Sequence, residues 1–336
     1  KPGSRSIGSL SSGANNSDSD RHGSEESPIE SPSPSRIAEK GKCNCAVEKS
    51  KEDLIEMVFS PRPNLRCIED APRHFDWREN LSANMSLTPV RNHHVGPHYC
   101  GACYAMASTS TFSDRLKIAM GATAAPDVLV SAQMVVDCVR TSHSHGCFGG
   151  NANDVFQHIY EKGILSETCR PFISKPQQCE FGRPGHNSSG TCNTCQAGSR
   201  ECKSVENSEN FVRYYAKEHG VVSGEEAMMA EIGQRGPIEC MMATPKVFEN
   251  YVGGIMCDTT NATKISHDVE LVGWGEERNG TKYWIGRNSW GTDWGEGGFF
   301  RVCRGINNMA IESACAWVVP DLDKSIQQHS IGQKLS

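Results

Sequence analysis

The sequence predicts an α+β protein in which a helical region is followed by a β-rich region. Apolar residues recur at helical spacing through the first half of the globular part, and the period shortens to that of strands after Pro237. Glycine, asparagine and aspartate turns separate the later segments. A run of helices followed by a run of strands is typical of two packed subdomains rather than of a βαβ repeat.

The composition excludes several classes of protein. The chain has 336 residues, enough for one large or two ordinary domains, with 34 basic and 40 acidic residues and a net charge of −6. We therefore expect no nucleic-acid partner, and no segment is apolar enough for a transmembrane helix. The chain starts without an apolar targeting segment, so we expect either a removed signal peptide or a fragment.

Cysteines and glycosylation sequons indicate the secretory pathway. Sixteen cysteines are too many for a reducing compartment unless they bind metal. Several of the N-x-[ST] sequons can be chance matches; they start at Asn15, Asn80, Asn84, Asn187, Asn261 and Asn279. We expect a glycoprotein of a lysosomal or other acidic endomembrane compartment, or a secreted protein.

Composition divides the chain into four parts. Residues 1–36 are rich in serine, glycine and proline and too poor in apolar residues to fold, so we predict a disordered tail. Residues 37–71 contain a helical pattern over 48–59 that Pro61 ends, and they form either a linker or a propeptide-like segment lying over the rest. A globular domain is predicted over 72–320, helical over about 98–210 and β-rich over about 211–320, with a polar tail over 321–336.

Four helices and four strands are predicted in the globular domain. The helix over 103–120 is apolar on most sides, so it should be a buried central helix, and Gly121 suits its C′ position. The other helices are predicted over 128–138, 153–162 and 225–234. The strands are predicted over 238–242, 267–274, 283–288 and 298–304.

A candidate nucleophile lies where a loop enters the central helix. Residues 100–104 read Cys-Gly-Ala-Cys-Tyr, and Cys103 begins the helix. The unpaired N–H groups and the positive end of the helix dipole favour a thiolate there, which lowers a cysteine pKa from about 8.5 toward about 3.5–7.5. We therefore predict a reactive thiol at Cys103, and the alternative is a buried disulfide partner.

Three motifs in order resemble those of the papain-like cysteine peptidases. They are C-G-[SA]-C-[WY] at 100–104, a histidine before V-x-x-V-G-[WY]-G at 267–275, and N-S-W-G-x-x-W-G-x-x-G-[FY] at 288–299. The resemblance runs from about residue 76 to about residue 320. It implies a papain-like fold, with a helical left subdomain packed on a β-barrel-like right subdomain and the active site in the cleft between them.

The resemblance assigns the catalytic residues. Cys103 would attack the peptide carbonyl as a thiolate, with His267 as its ion-pair partner and general acid. Asn288 would accept the other imidazole N–H and fix the ring, and Trp290 would shield that hydrogen bond from water. The alternative for His267 is an ordinary strand histidine.

Within that family, the chain resembles the cathepsin X-like carboxypeptidases through residues 91–104, 226–232 and 236–244. Those peptidases have a Gln–His pair in which the glutamine donates to the oxyanion and the histidine binds the substrate's C-terminal carboxylate. Here His93 stands at the glutamine position, and the loop is one residue longer. His93 and the backbone N–H of Cys103 are the expected oxyanion donors, and His94 is the expected carboxylate ligand. Exposed loop histidines or a chance metal site are the alternatives.

Further positions complete the expected site. Gly149 and Gly150 resemble the glycines whose backbone pairs with extended substrate, and the alternative is a plain turn. Asp268 follows the catalytic histidine where the family has a small or apolar residue. It is expected either to line the substrate pocket and favour a basic side chain, or to lie with Glu270 on a solvated strand face.

The resemblance also implies a disulfide framework in which Cys103 stays free. Five pairs follow from it: Cys100–Cys147, Cys138–Cys179, Cys169–Cys192, Cys195–Cys202 and Cys240–Cys315. A sixth expected pair, Cys257–Cys303, has no counterpart in the family. In the cathepsin X-like group a propeptide cysteine forms a reversible disulfide with the catalytic cysteine. Cys43 or Cys45 is expected to take that inhibitory role, and metal ligation by the two is the alternative.

We therefore expect a cysteine-type peptidase that removes C-terminal residues from peptide and protein substrates through an acyl-thioester intermediate. No cofactor or metal is expected, and the protein should be a monomer. The alternatives are a broad-specificity papain-fold endopeptidase and a catalytically weakened or non-catalytic binding protein, which His93, Tyr104 and Met106 favour as departures from the family pattern. A disulfide-rich structural protein would explain the cysteines but not the ordered triad.

Overall fold

The computed structural model describes residues 71–81, 86–97, 99–121, 128–179, 193–195, 202–204 and 212–325. The predicted tail over 1–36 and the segment that follows it, with Cys43, Cys45 and the helix over 48–59, lie outside the described residues. Within the described part of the chain, every helix is too short or too polar to cross a bilayer.

The first half of the described chain is mainly helical. After strand β1 (Phe75–Asp76) come helices α1 (Trp77–Asn80), α2 (Cys103–Met120), α3 (Ala132–Cys138) and α4 (Ala152–Lys162). Helix α2 has the bounds that its sequence predicts and is buried from residue 104 to residue 117. It is therefore the central helix of this half.

Local capping explains where these helices begin and end. Helix α2 ends at Gly121, whose φ of 73° lets its N–H reach the carbonyls of the last turn. Helix α3 begins four residues later than predicted, because Ser131 caps it by accepting the N–H of Met134. The preceding Val130 instead pairs with Ser166 in an isolated bridge.

The second half contains most of the sheet. A hairpin of β2 and β3 precedes it, and the remaining elements follow in chain order: β2 (Asn193–Cys195), β3 (Cys202–Ser204), β4 (Tyr215–Val222), α5 (Glu225–Arg235), β5 (Ile238–Met242), α6 (Lys246–Glu249), β6 (Ile255–Met256), β7 (His267–Glu276), β8 (Lys282–Arg287), β9 (Phe299–Cys303) and β10 (Cys315–Asp321). The strand order is β4-β10-β5-β7-β8-β9-β6, with β1 paired to β7. All neighbours are antiparallel except β6 and β9.

Strands β4 and β10 were not predicted from the sequence, and neither were the short strands β1, β2, β3 and β6. Strand β10 pairs with both β4 and β5, so it is an interior strand of the sheet. Its pattern is interrupted by Pro320, which lies at a register shift against β4, where a missing N–H is tolerated. Strand β5 has its predicted bounds, and β7 extends two residues beyond its prediction.

Two hydrophobic clusters correspond to the two halves. One surrounds α2 with α3 and α4 and includes Phe112 and Phe156, and the other lies between α5 and the sheet and includes Trp284 and Trp317. Helix α2 also packs directly on β7 and β10. The architecture is thus α+β, as predicted, and α2 is the element that joins the two halves.

A layer of buried charges lies where α2 meets the sheet. The guanidinium of Arg287 contacts Asp114 of α2, with Nη2 2.6 Å from Oδ2, and also contacts Glu270 of β7. Arg115 donates to Glu231 and to three backbone carbonyls. Glu270 is buried, and so is Asp268, which contradicts the alternative of a solvated strand face for these two residues.

Four disulfides join described residues, and all four are pairs named above: Cys100–Cys147, Cys138–Cys179, Cys240–Cys315 and Cys257–Cys303. Cys169 is also disulfide-bonded, whereas its expected partner, Cys192, lies outside the described residues. The backbones of Cys195 and Cys202 lie opposite each other in the β2–β3 hairpin.

Candidate active site

Cys103 is the first residue of α2 and is the only free cysteine of the described segments. Two bonds to Cys147 fix the backbone that precedes it. Cys100 is tied to Cys147 by a disulfide, and the N–H of Gly101 donates to the carbonyl of Cys147 at 2.8 Å. The half-buried thiol of Cys103 therefore emerges from a rigid loop at the N-terminus of the central helix.

The partner of this thiol is a carboxylate rather than the expected imidazole. Cys103 Sγ donates a hydrogen bond to Asp268 Oδ2 at 3.3 Å. Burial, together with the charge of Asp268, raises the pKa of the Cys103 thiol well above its ordinary value. The helix N-terminus was predicted to lower this pKa, whereas in the structure burial and the adjacent carboxylate raise it.

His267 begins β7 and is oriented by Asn288, which follows β8. The imidazole Nε2 is 2.8 Å from Asn288 Oδ1, and the same oxygen accepts the N–H of Ser289 at 2.8 Å. Because Oδ1 already accepts a backbone N–H, it acts as an acceptor for His267 as well, so Nε2 carries the proton. The lone pair of Nδ1 is then available for proton transfer.

The surroundings of His267 keep its ring neutral. It is 4% exposed, and the ring of Trp290 lies 4.8 Å away between centroids. Burial lowers the pKa of His267 to about 4, against the opposing effect of its hydrogen bond to Asn288, and a positive charge on His94 lowers the pKa further. The structure thus brings His267, Asn288 and Trp290 together in the expected arrangement.

The loop that carries His93 and His94 is hydrogen-bonded to the segment that follows β8 and contains Asn288. Asn92 forms an isolated bridge with Trp290, and the N–H of His93 donates to the carbonyl of Ser289 at 3.0 Å. His93 is buried, and its Nδ1 is 2.9 Å from Ser289 Oγ. Burial lowers the pKa of His93 to about 3, so this imidazole is neutral at any physiological pH.

The ring of His94 is exposed at the edge of the same site. Its centroid is 4.2 Å from that of His93 and 6.0 Å from that of Trp290, on which it stacks. Partial burial lowers the pKa of His94. The centroids of His93 and His267 are 6.1 Å apart, so His93 lies beside the imidazole of His267, on whose pKa His94 also acts.

Gly150 lies beside Tyr104, the second residue of α2, and Gly149 precedes it in the open part of the loop. A Cβ atom on Gly150 would come within 2.3 Å of the Tyr104 ring, whereas one on Gly149 would meet nothing within 4 Å. The Tyr104 hydroxyl donates to the carbonyl of Gly146 at 3.2 Å. Phe148, next to the glycines, is 90% exposed, so this loop presents backbone and one aromatic ring to solvent.

Two residues of the site were missed by the sequence analysis. The hydroxyl of Ser289 contacts His93, and its backbone N–H donates to Asn288 Oδ1, the oxygen that also bonds His267. Glu239 of β5 lies buried beside Asp268. An acidic residue inside the otherwise apolar strand 238–242 is the signal that could have indicated Glu239. Ser289 belongs to the NSWG motif, but nothing in the sequence connects it to residue 93.

A possible metal-binding group lies away from this site, at His74, Asp76 and Glu79. The Asp76 carboxylate there is already held by the Arg78 guanidinium and backbone, and we assign no ion to it.

A free thiol at a helix N-terminus, together with an imidazole that an asparagine orients, supplies the side chains that a cysteine peptidase uses. The family model described as papain family cysteine protease matches residues 71–319. The chain therefore belongs to the papain family of cysteine proteases.

Individual relatives agree with this assignment. The chain is 38% identical over 261 residues to a cathepsin Z of Onchocerca volvulus, covering 75% of this chain and 79% of that protein. It is 31% identical over 293 residues to a cathepsin B-like cysteine proteinase 1 of Haemonchus contortus, covering 82% and 80%. Among solved structures, a Carica candamarcensis cysteine protease in complex with E-64 is similar with a TM-score of 0.55 and 26% identity, covering 74% of this chain and 98% of that one.

Proposed function

We propose that this papain-family protease is a carboxypeptidase that removes C-terminal residues from peptides and proteins. The observation that carries the proposal is His94. Its imidazole is exposed at the edge of the site, stacked on Trp290 and in contact with the buried ring of His93. A cation at this position can hold the free carboxylate of a substrate whose last peptide bond reaches Cys103.

The proposed reaction follows from the roles of the three central residues. Cys103 loses its proton to Nδ1 of His267, and the thiolate attacks the scissile carbonyl carbon. The imidazolium then protonates the leaving amine, and the acyl group remains on Sγ as a thioester. Water deprotonated by the same imidazole releases the acid and restores the thiol. Asn288 keeps the ring in place throughout.

Two donors are proposed for the oxyanion. The backbone N–H of Cys103 is one, because it belongs to the unpaired first turn of α2. The other is Nε2 of His93, which carries the proton if the Ser289 hydroxyl donates to Nδ1. A neutral imidazole is a workable donor, and its low pKa means that this donor does not change with pH above about 4.

An acidic compartment fits the proposed role of His94. Since partial burial lowers the pKa of this imidazole, it becomes a cation only on the acidic side of its ordinary range. The proposal therefore includes a lysosomal or other acidic lumen, or secretion into an acidic fluid, and a zymogen in which Cys43 or Cys45 blocks Cys103. It also includes a glycoprotein that acts as a monomer.

The test compares two peptides that differ only at the last group, a free carboxylate or an amide. We expect the mature enzyme to remove the last residue of the free acid with a kcat/KM at least about 10-fold higher, a difference of about 1.4 kcal/mol. His94→Ala should abolish this preference, whereas the exposed His143→Ala serves as the matched control and should retain it. Equal cleavage of both peptides by the unmodified enzyme would favour a broad-specificity endopeptidase.

A second candidate function is a papain-fold binding protein with little or no activity. The hydrogen bond from Cys103 to Asp268 favours it, because the raised pKa keeps the nucleophile protonated. Measurement of peptide hydrolysis from pH 4 to pH 8, after reduction of any propeptide disulfide, distinguishes the two. Turnover at any of these pH values, abolished in Cys103→Ala, excludes a binding protein without activity.

A further inference from the structure

The buried carboxyl group that contacts the nucleophile has a second carboxyl group beside it. Asp268 of β7 is 7% exposed and Glu239 of β5 is 1% exposed. In the antiparallel pairing of the two strands, Glu239 lies opposite Glu270 and Met241 lies opposite Asp268. Glu239 and Asp268 are therefore diagonal neighbours on the sheet face that packs against α2, within reach of each other.

The described residues give this pair no cation in direct contact. Arg287 is bound by Asp114 and Glu270, and Arg115 is bound by Glu231 and by backbone carbonyls. Arg91 lines a small cavity together with Asp268, Glu270 and Arg287, but its Nη1 donates to Thr109 and to the carbonyl of Val130. Asp268 Oδ1 and Glu239 Oε1 have no hydrogen-bond partner among the described side chains and backbone.

Two buried carboxyl groups without a cation cannot both be ionised, so they retain a proton. Burial raises the pKa of both groups, and the charge of Asp268 raises that of Glu239 further. Hydrogen bonds from Glu239 and from Cys103 act in the other direction on Asp268. The proton therefore lies on Glu239, and the Asp268 carboxylate accepts from both Glu239 and the Cys103 thiol.

We infer that Asp268 is an acid-released brake on the nucleophile. Ionised Asp268 holds the proton on Sγ and keeps the thiol hydrogen-bonded to β7 instead of to His267. Uptake of one proton from solvent neutralises Asp268 and ends both its acceptance of the S–H proton and its repulsion of a thiolate. The S–H proton then passes to Nδ1 of His267, which leaves a thiolate and an imidazolium and involves no change of oxidation state.

The groups that face Asp268 from each packed element are all accounted for. They are Cys103 and Tyr104 from α2, Glu239 from β5, and His267 and Glu270 from β7, with Arg287 and Arg91 across the cavity. Of these, only Glu239 and Cys103 exchange hydrogen bonds with the Asp268 carboxylate. Asp268 is thus a positioning residue that acts through Cys103, and this inference rests on the proposed role of Cys103 as the nucleophile.

The test measures alkylation of Cys103 by iodoacetamide from pH 4 to pH 9 in the full chain, after reduction of any propeptide disulfide and removal of the reductant, with the modified peptide identified by mass spectrometry. Iodoacetamide is uncharged, so its rate reports the thiolate fraction without a substrate site. In the unmodified protein, we expect the rate to rise as the pH falls from 7 to 5, in contrast to an isolated thiol. Asp268→Asn should alkylate on the order of 10-fold faster at pH 6.5, which corresponds to a pKa lower by about one unit.

Two matched variants distinguish the specific effect of the Asp268 charge on Cys103 from a general loosening of the core. Glu239→Gln keeps a hydrogen-bond donor beside Asp268, so it should retain the slow alkylation of the unmodified protein near neutral pH. The exposed Glu226→Gln controls for loss of a negative charge. Coincident pH profiles for Asp268→Asn and the unmodified protein would overturn the inference, and so would equal acceleration by Asp268→Asn and Glu239→Gln.

The outcome is independent of the proposed carboxypeptidase activity. Fast alkylation in Asp268→Asn without preference for a free C-terminal carboxylate supports the brake and rejects the proposed specificity. A Cys103 that resists alkylation at every pH in every variant rejects the nucleophile itself, and the brake with it.

Discussion

Replacement of Glu270 by glutamine should stabilise the protein at neutral pH. Glu270 of β7 is 1% exposed and shares the single guanidinium of Arg287 with Asp114. One cation cannot balance two buried carboxylates. Burial and the charge of Asp114 together raise the pKa of Glu270 to about 8, although Arg287 acts to lower it. The folded state therefore holds a proton on Glu270 that the unfolded state releases at a lower pH.

The sign and size of the effect follow from this difference. A pKa raised from 4.5 to about 8 on folding gives stability that is present below pH 4.5 and is lost as the pH rises toward 8. Each unit of pKa difference corresponds to about 1.4 kcal/mol of stability. Between pH 5 and pH 7 the protein loses the stability that corresponds to nearly two such units. The folded state thus loses roughly 2–3 kcal/mol over this interval through Glu270. Glutamine carries no proton to lose.

The assay is equilibrium unfolding in urea, followed by tryptophan fluorescence with the disulfides intact, in a Cys103→Ala background that prevents self-cleavage. The free energy of unfolding of Glu270→Gln relative to its parent should increase by roughly 2–3 kcal/mol from pH 5 to pH 7. Glu226→Gln should show no such trend. A difference that stays constant with pH, or that decreases, would show that Glu270 is fully ionised in the folded protein and would refute the reasoning.

Three further predictions concern the site. His267→Ala should lower kcat/KM for peptides by about 10²–10⁴, because the proton donor to the leaving amine is removed; a smaller loss in steady-state hydrolysis would contradict that role. Ser289→Ala should lower kcat about 5- to 10-fold with KM unchanged, since about 1 kcal/mol of hydrogen bonding fixes His93; an unchanged kcat would exclude His93 as an oxyanion donor. Gly150→Ala should destabilise the protein by about 1–3 kcal/mol in thermal unfolding, because its Cβ would overlap the Tyr104 ring, and a neutral effect would contradict that contact.

The parts of the fold that the sequence predicted are those fixed by neighbouring residues. The period and the C-terminal glycine of α2 lie within the helix itself, and the apolar run of β5 lies between clear turn residues. Strand β10 was missed because its assignment depends on β4, almost a hundred residues earlier in the chain, and because Pro320 interrupts its pattern. Its hydrogen bonds come from non-local partners, which local patterns do not contain.

In the candidate site, too, features set by neighbouring residues were predicted and features set by distant residues were not. The motifs correctly indicated that His267 and Asn288 would meet, since each motif places its residue at a strand end. The partner of the Cys103 thiol could not be predicted, because it depends on which side chains of β5 and β7 face α2. The helix dipole is a local property, whereas burial and the Asp268 charge appear only after packing.

Arg287 has a consequence for how this enzyme would respond to random mutagenesis. It immediately precedes Asn288, and its guanidinium is bound by Asp114 of the helix that begins with Cys103 and by the carbonyl of Thr88. Cys103 and Asn288, 185 residues apart in the chain, are thus both held in place through Arg287. Substitutions of Arg287 would leave Cys103 and Asn288 unchanged in type but would alter the distance between them. A screen that scores activity alone would class Arg287 with the proposed catalytic residues, although its side chain is buried.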